Sequence, residues 1–239
     1  MGVTATPLLS GARNYDRIIE GILRGQAGMD VREITSWQSG VSNTLVGTGA
    51  VTARLLKWEA TSGATGSSTV SSFIDPLDGT GSGFSAGQGY QVIDWRKRVI
   101  LLVKATGLTS GANGVSRLFW GKNNGDGLGE SARPGIGFKL EGLVVKGFSH
   151  NGSVLATTAA LLTLTSAVDA YLMAISDGAG TTSFYHSTGG GTWTAGPTAA
   201  GPAAASGSGN NAIFLETLNG ADAAAQRLII HKMVLGVGQ

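Results

Sequence analysis

Apolar and polar residues follow a strand-like pattern over most of the chain after residue 91. Residues 98–105 (RVILLVKA) form an apolar run that is typical of a strand buried on both faces. In residues 136–140 every second residue is large and apolar, which predicts a strand with one buried face. Residues 135–148 as a whole give one long strand or two short ones. Further strands are predicted at residues 51–58, 115–121, 171–176, 182–186, 212–217 and 226–235.

Gly, Asn and Asp residues lie between these segments, where the chain has to turn. The sequences GANG (111–114), HNG (150–152) and DGAG (177–180) are typical hairpin turns. Loops are predicted at residues 122–130 and in the low-complexity segment 197–209, PTAAGPAAASGSG. Residues 31–89 are ambiguous, with long Gly/Ser-rich surface loops expected. Short strands at this spacing predict that residues 31–239 form one all-β domain, a two-sheet antiparallel β-sandwich.

The first 30 residues have a different pattern and are predicted to form an N-terminal arm with a short helix. Its apolar positions recur at helical spacing and form one stripe: Tyr15, Ile18, Ile19, Ile22 and Leu23. An isolated helix of this length is marginal in water, so it has to dock on a surface. That surface is either the chain's own β domain or a neighbouring subunit. We expect the stripe to be an assembly contact.

The charge content changes this picture. Only 13% of the 239 residues are charged, about half of the usual 25%. A surface with so few ions suits a protein that is covered by other subunits. The net charge of +2 comes without a basic patch. The run 96–98 (RKR) is expected to be a solvated strand end, so no nucleic-acid partner is predicted.

Several classes of site and location are excluded by what the sequence lacks. The chain contains no cysteine, which excludes disulfides and thiolate zinc sites. The longest strongly apolar run, 99–103, is far too short to span a bilayer, and no membrane partner is expected. Residues 1–10 show no signal-peptide pattern, so synthesis in a cytoplasm is expected.

The strand segments together resemble the concanavalin A-like, or laminin-G-like, jelly-roll domain. The resemblance covers about the last 150 residues and is carried by strands and turns: RVILLVKATGL (98–108), RLFWGK (117–122), GIGFKLEG (135–142), YLMAISDG (171–178), SFYH (183–186) and the terminal strand 228–237. It implies a jelly-roll topology for the sandwich. Glycosidases of this superfamily carry a Glu-x-Asp-x-Glu strand, and no Glu-x-Asp occurs in this chain.

No other catalytic or metal-binding motif is found. There is no G-x-S-x-G elbow and no Walker A sequence, and His150, His186 and His231 lie far apart. Oxygen-rich segments that could hold Ca²⁺ contain Asp75, Asp78, Asn123, Asn124, Asp126 and Glu130. Asn-Gly and Asp-Gly are, however, ordinary turn dipeptides. We therefore predict no enzyme activity, no metal and no cofactor.

Aromatic residues near strand ends are candidates for stacking on a sugar ring, since an aromatic face buries apolar C–H surface. The candidate glycan-binding residues are Trp120, Asn123, Asn151, Tyr185, His186 and Trp193. The aromatic members of this set fit the sandwich core or a subunit contact equally well.

Two functions follow from these features. The first is a structural component of a tailed-phage virion, such as a capsid-decoration or tail protein, made in the host cytoplasm and located on the virion. Its expected partners are the major capsid protein and other copies of itself, with a trimer favoured. The alternative is a lectin-like module that binds carbohydrate on a host surface.

Overall fold

A computed structural model describes residues 29–34, 44–46, 50–54, 57–61, 69–71, 73–74, 94–109, 114–122, 134–166, 168–189, 191–203, 211–218 and 227–238. Within these ranges the regular structure consists of sixteen β-strands. No helix long and apolar enough to cross a membrane occurs among the described residues. The predicted N-terminal helix and its apolar stripe lie outside these ranges.

The first eight strands are β1 (Met29–Ile34), β2 (Thr44–Val46), β3 (Ala50–Arg54), β4 (Lys57–Thr61), β5 (Thr69–Ser71), β6 (Phe73–Ile74), β7 (Val99–Thr109) and β8 (Val115–Lys122). The next eight are β9 (Gly135–Glu141), β10 (Val144–His150), β11 (Leu155–Thr163), β12 (Ala170–Ser176), β13 (Thr181–Thr188), β14 (Thr194–Ala200), β15 (Asn211–Leu218) and β16 (Arg227–Gly238).

Two antiparallel sheets account for most of these strands. The large sheet has the order β14-β13-β12-β7-β16-β4-β3, and β1 also pairs with β16. The small sheet has the order β11-β10-β9-β8-β15-β6, and β2 and β5 form a separate pair. Non-consecutive neighbours such as β7 and β16 require the chain to cross between the sheets. The predicted all-β sandwich of two antiparallel sheets is thereby confirmed.

The core lies between the two sheets and is built by alternation along each strand. On β7, Val99, Leu101 and Val103 point inward and are fully buried. Leu172 on β12 pairs with Val103 and joins the same cluster. Each inward residue leaves its neighbours on the other face of the sheet. On β7 these neighbours include Ile100 and Leu102, which are buried in a second, smaller cluster with Tyr171, Met173 and Val234.

Phe184 sets the distance between the sheets. It lies on the inner face of β13, with its ring 5.9 Å from that of Phe138 on the opposite sheet in an edge-to-face arrangement. Gly147 of β10 pairs with Phe138 and leaves the space that the Phe184 ring fills. A Cβ on Gly147 would lie 2.6 Å from two atoms of that ring. Both phenylalanines are almost fully buried.

Two tryptophans fill a second part of the core. Trp95 and Trp120 are both 0% exposed, and their rings are 6.3 Å apart in an edge-to-face arrangement. Neither indole N–H has a hydrogen-bond partner. Their contribution is therefore apolar burial and ring packing.

Residues 135–148 form two strands, the second of the two predicted arrangements, because Gly142 adopts a φ of 60° in the turn between β9 and β10. The strand predictions were incomplete in two other places. The strand β11 was not predicted. The strand β14 covers residues 194–200. Residues 197–200, at the start of the segment predicted to be a low-complexity loop, therefore belong to a strand. β14 is built from small residues, and in β11 the leucines do not alternate with polar residues, so neither strand shows a clear period-2 pattern.

The substitution Gly147→Ala should destabilise the fold by about 1–3 kcal/mol, because the new methyl group overlaps the Phe184 ring. Urea denaturation measures this change. Adding Phe184→Leu should recover part of the loss relative to the sum of the two single variants, since the smaller side chain makes room. Gly191→Ala is the matched control, because nothing lies within 4 Å of the added atom. Equal effects of Gly147→Ala and Gly191→Ala would contradict this packing.

Candidate functional site

The outer face of the large sheet carries a row of polar and aromatic residues. Strand register places Lys232, Lys104, Tyr171 and Ser187 side by side on β16, β7, β12 and β13. The next row along the sheet is apolar, with Val234, Leu102, Met173 and Tyr185. The first three are buried, at 7% exposure or less, and Tyr185 is partly exposed, so the polar zone adjoins a buried apolar zone.

A β-bulge turns His231 toward the polar zone. On β16, Ile230 pairs with Ala105 and Lys232 with Lys104, so that His231 is the extra residue. Bulges commonly redirect a side chain in this way. The Nε2 atom of His231 lies 2.7 Å from Thr106 Oγ1, and Thr106 donates a hydrogen bond to Asp169 Oδ1 at 3.0 Å. Because Thr106 has one hydroxyl proton, this arrangement makes Nε2–H the donor to Thr106.

Asp169 is the centre of the polar zone. Its Oδ2 lies 2.7 Å from Lys104 Nζ, and its Oδ1 lies 3.6 Å from His231 Nε2. Burial acts to raise the pKa of Asp169, but the hydrogen bonds from Lys104 and Thr106 and the positive charge of Lys104 lower it overall. Asp169 is therefore an anion at neutral pH. Its side chain is 37% exposed and can still accept hydrogen bonds from a ligand.

Lys104 contacts both the carboxylate of Asp169 and the ring of Tyr171. Its ammonium lies 5.5 Å from the centre of the Tyr171 ring, within the range of a cation–π contact. Burial acts to lower the pKa of Lys104, but hydrogen bonds to Asp169 and Tyr171 outweigh it, and the pKa is raised. Lys104 stays charged, and 28% of its side chain is exposed.

Tyr185 and Trp193 border the apolar zone. Both are half-buried and pack against the cluster that contains Leu102 and Met173. Trp193 comes just before β14, where residues 194 and 195 pair with β13. Ser187 lies beside Tyr171 in the polar row, is 2% exposed and has no hydrogen-bond partner for its hydroxyl. Tyr171 is 3% exposed, so the aromatic surface that the described residues of this face offer comes from the partly exposed rings of Tyr185 and Trp193.

The His231–Thr106–Asp169 group does not have the geometry of a catalytic triad. In a triad the nucleophile and the carboxylate bind opposite nitrogens of the imidazole. Here Thr106 and Asp169 both lie near Nε2, and Nε2 carries its proton toward Thr106. The group therefore lacks the arrangement of a Ser-His-Asp type of triad.

The outer face of the small sheet is also charged, but its ion pairs are internal. Arg117, Lys139 and Lys146 form one row on β8, β9 and β10. Glu141 binds both lysines, with Lys139 Nζ 3.1 Å from its carboxylate. These contacts lower the pKa of Glu141. The aromatic residues of this face are phenylalanines, which have no polar group to orient a ligand.

The structure brings together two of the six candidate glycan-binding residues, Tyr185 and Trp193. Trp120 takes the other placement that the sequence left open: it is 0% exposed in the core and cannot stack on a sugar. Asn151 is exposed, but its side chain accepts hydrogen bonds from the backbone of residues 153 and 154 within its own turn. His186 lies on the opposite face of β13 from Tyr185, where burial lowers its pKa.

Other candidates lie outside the described residues. They are Asn123 and the remaining members of the two oxygen-rich segments, Asp75, Asp78, Asn124, Asp126 and Glu130, together with the arm residues Tyr15, Ile18, Ile19, Ile22 and Leu23.

Sequence reasoning missed Lys104, Thr106, Asp169 and His231. Lys104 and Thr106 lie in a strand that was predicted from its apolar run. Their alternation with Val103 and Ala105 indicates that they face the opposite side of the sheet from the core. His231 depends on a bulge, which leaves no clear mark in the sequence. Asp169 is separated by more than 60 residues from both of its partners on β7 and β16.

Comparison with solved structures supports the fold. The chain is similar to a protein of unknown function from Shewanella oneidensis, with a TM-score of 0.56 and 13% identity over 98% of this chain and 97% of that one. It is similar to the lectin UEA-II in complex with galactose, with a TM-score of 0.58 and 11% identity over 88% and 99%. Peanut lectin with a nine-residue peptide gives 0.52 and 12% over 88% and 98%.

These similarities place the fold among concanavalin A-like jelly rolls, as the sequence resemblance implied. At such low identity they concern the fold alone. No protein-family model matches the chain, and no curated protein sequence matches it.

The substitution Asp169→Asn should destabilise the protein at neutral pH and have less effect in acid. A carboxyl whose pKa is lowered by folding stabilises the folded state above its unfolded pKa of about 3.8, and this stabilisation is lost as the pH falls through the folded value. Asparagine keeps an acceptor for Thr106 and removes the charge. We expect the difference in free energy of unfolding between the two proteins to shrink as the pH falls below about 5. A constant difference would contradict the role of this charge.

Proposed function

We propose that this protein is a non-enzymatic carbohydrate-binding module, and that an oligosaccharide binds on the outer face of the large sheet. The observation that carries the proposal is the meeting of Tyr185 and Trp193 with the Lys104–Asp169 ion pair on one face. Sugar recognition needs an apolar platform for C–H surface and a few fixed polar groups for hydroxyls. On this face the partly exposed rings of Tyr185 and Trp193 would serve as the platform, and Lys104 and Asp169 as the polar groups.

Each polar group has a distinct capacity toward a sugar hydroxyl. The carboxylate of Asp169 only accepts hydrogen bonds, and the ammonium of Lys104 only donates them. Because each already binds the other, both are held in place before a ligand arrives. Their partial exposure leaves the remaining lone pairs and protons for a ligand. Preorganised groups of this kind lose less conformational entropy on binding.

The dimensions of the face favour a ligand longer than one sugar ring. Strands β7 and β13 are separated by β12, which puts them about 10 Å apart. A ligand that contacts both Lys104 and Tyr185 has to span this distance. We therefore infer an oligosaccharide rather than a monosaccharide. The similarity of the fold to lectins supports this class of ligand.

A role on a phage virion stays a prediction, as do the capsid-protein partner and the trimer. The low charge content supports contact with other protein surfaces. The two functions are compatible, since a virion component can carry a carbohydrate-binding face.

Binding should be weakened by changing either the aromatic part or the charged part of the site. A glycan array identifies an oligosaccharide, and calorimetric titration then compares variants. Trp193→Ala and Asp169→Asn should each weaken binding about tenfold or more, since about 1.4 kcal/mol of lost contact is a factor of ten. Asn151→Asp is the control, because it keeps the turn acceptor and lies outside the site. No binding to any glycan, or equal affinities in all variants, would overturn the proposal.

A further inference from the structure

The turn between β10 and β11 places a reactive dipeptide beside a buried histidine. Asn151 and Gly152 directly follow His150, the last residue of β10, and Asn151 is exposed. In an Asn-Gly pair the glycine nitrogen can attack the side-chain carbonyl carbon Cγ of the asparagine, because glycine has no side chain to shield its nitrogen. Gly152 adopts a φ of 103°, which favours glycine. The shape of the turn therefore requires this vulnerable pair.

The reaction open to this pair is deamidation through a succinimide ring. A bond forms between Gly152 N and Asn151 Cγ, the bond from Cγ to the amide nitrogen Nδ2 breaks, and ammonia leaves with the proton of Gly152 N. Water then opens the ring at one of its two carbonyls and leaves aspartate or isoaspartate. Isoaspartate adds a methylene group to the backbone, so it would change the length of the turn.

The nucleophile of this reaction is held by His150. The backbone N–H of Gly152 donates a hydrogen bond to His150 Nδ1 at 2.9 Å. In the succinimide the new bond to Cγ replaces the N–H bond, so Cγ has to approach the side of the nitrogen to which the hydrogen points. In the folded turn the imidazole of His150 occupies that side.

The electrophile is held by the residues that follow. Asn151 Oδ1 accepts hydrogen bonds from the backbone N–H groups of Ser153, at 2.9 Å, and Val154, at 2.8 Å. The backbone N–H of Asn151 donates to the Val154 carbonyl at 3.2 Å. The carboxamide is therefore fixed on the two residues after Gly152. Ring closure has to break these contacts as well as the bond to the imidazole.

The imidazole itself is fixed by the small sheet. His150 is 3% exposed and pairs with Gly135 of β9 and Leu155 of β11. Gly135 lies under the Phe119 ring, since a Cβ at this position would overlap that ring. Burial lowers the pKa of His150, so the imidazole is neutral at neutral pH and Nδ1 keeps its lone pair as an acceptor. The acceptor thus belongs to the sheet, whereas the dipeptide that it holds lies in an exposed turn.

We propose that Asn151–Gly152 is a deamidation site that the folded turn keeps closed, and that the hydrogen bond to His150 is what keeps it closed. The reaction then requires local opening of the turn, and its rate follows the population of the open form. Removing the imidazole acceptor raises that population without changing the reacting pair.

Peptide mapping by mass spectrometry follows the reaction in the full-length protein incubated at neutral pH. Chymotrypsin cleaves after Phe148 and Leu155, so the turn is recovered as the peptide 149–155. Wild-type protein should deamidate at Asn151 at least about tenfold more slowly than the synthetic peptide 149–155, which has the same sequence without the sheet. His150→Phe, with a ring that has no acceptor, should react about tenfold faster than wild type, which corresponds to a hydrogen bond of about 1.4 kcal/mol.

Two further variants separate the hydrogen bond from general destabilisation. His150→Asn places an acceptor oxygen the same number of bonds from the backbone as Nδ1, and it should react about as slowly as wild type. Gly147→Ala overpacks the same strand without touching the turn, and it should also react slowly. Urea denaturation verifies that each variant is folded under the conditions of the incubation.

The unsubstituted protein gives an independent measurement. The Gly152 N–H should exchange with solvent deuterium more slowly in the folded protein than in the peptide 149–155, because it is bonded to a buried acceptor. Equal exchange rates would overturn the proposal. Wild-type deamidation as fast as that of the peptide would overturn it too, as would equal rates in wild type and His150→Phe. If His150→Asn or Gly147→Ala reacts as fast as His150→Phe, the acceptor does not control the reaction and the proposal is wrong.

Discussion

The close approach of the two sheets at Phe184 is the constraint on which the other features depend. Its ring fills the space above Gly147 and meets Phe138, which fixes the inner face of β13. Because side chains alternate along a strand, Tyr185 then has to point outward. The same alternation on β7 turns Lys104 outward next to the buried Val103. The candidate binding face is thus the reverse side of the core.

The sequence predicted the fold better than the site, for physical reasons. Strand β7 and the β12–β13 hairpin stand out because a buried strand requires a long apolar run and a hairpin requires Gly and Asp at its turn. Period-2 alternation does not say which face is inside, so the sequence left both the core and a sugar contact open for Trp120, and it lies in the core. The Thr106–Asp169–His231 group depends on pairing between distant strands and on a bulge. Ala- and Thr-rich strands such as β14 carry little hydrophobic contrast to detect.

Charge is sparse on this part of the chain, and the Lys104–Asp169 ion pair stands out against it. Residues 147–215 contain two charged residues, Asp169 and Asp177. Asp169 is held by Lys104 from β7 and by Thr106, and the Lys104 ammonium also lies near the Tyr171 ring. The candidate site therefore lies where a fixed ion pair adjoins the partly exposed rings of Tyr185 and Trp193.

The most direct test of carbohydrate binding at this face uses the indole N–H resonances of the five tryptophans in a ¹⁵N-labelled sample. Titration with an oligosaccharide should shift the resonance of Trp193, which is half-buried beside Tyr185. The resonances of Trp95 and Trp120 should stay in place, because both side chains are fully buried in the core. A bound oligosaccharide that leaves Trp193 unshifted would contradict the account.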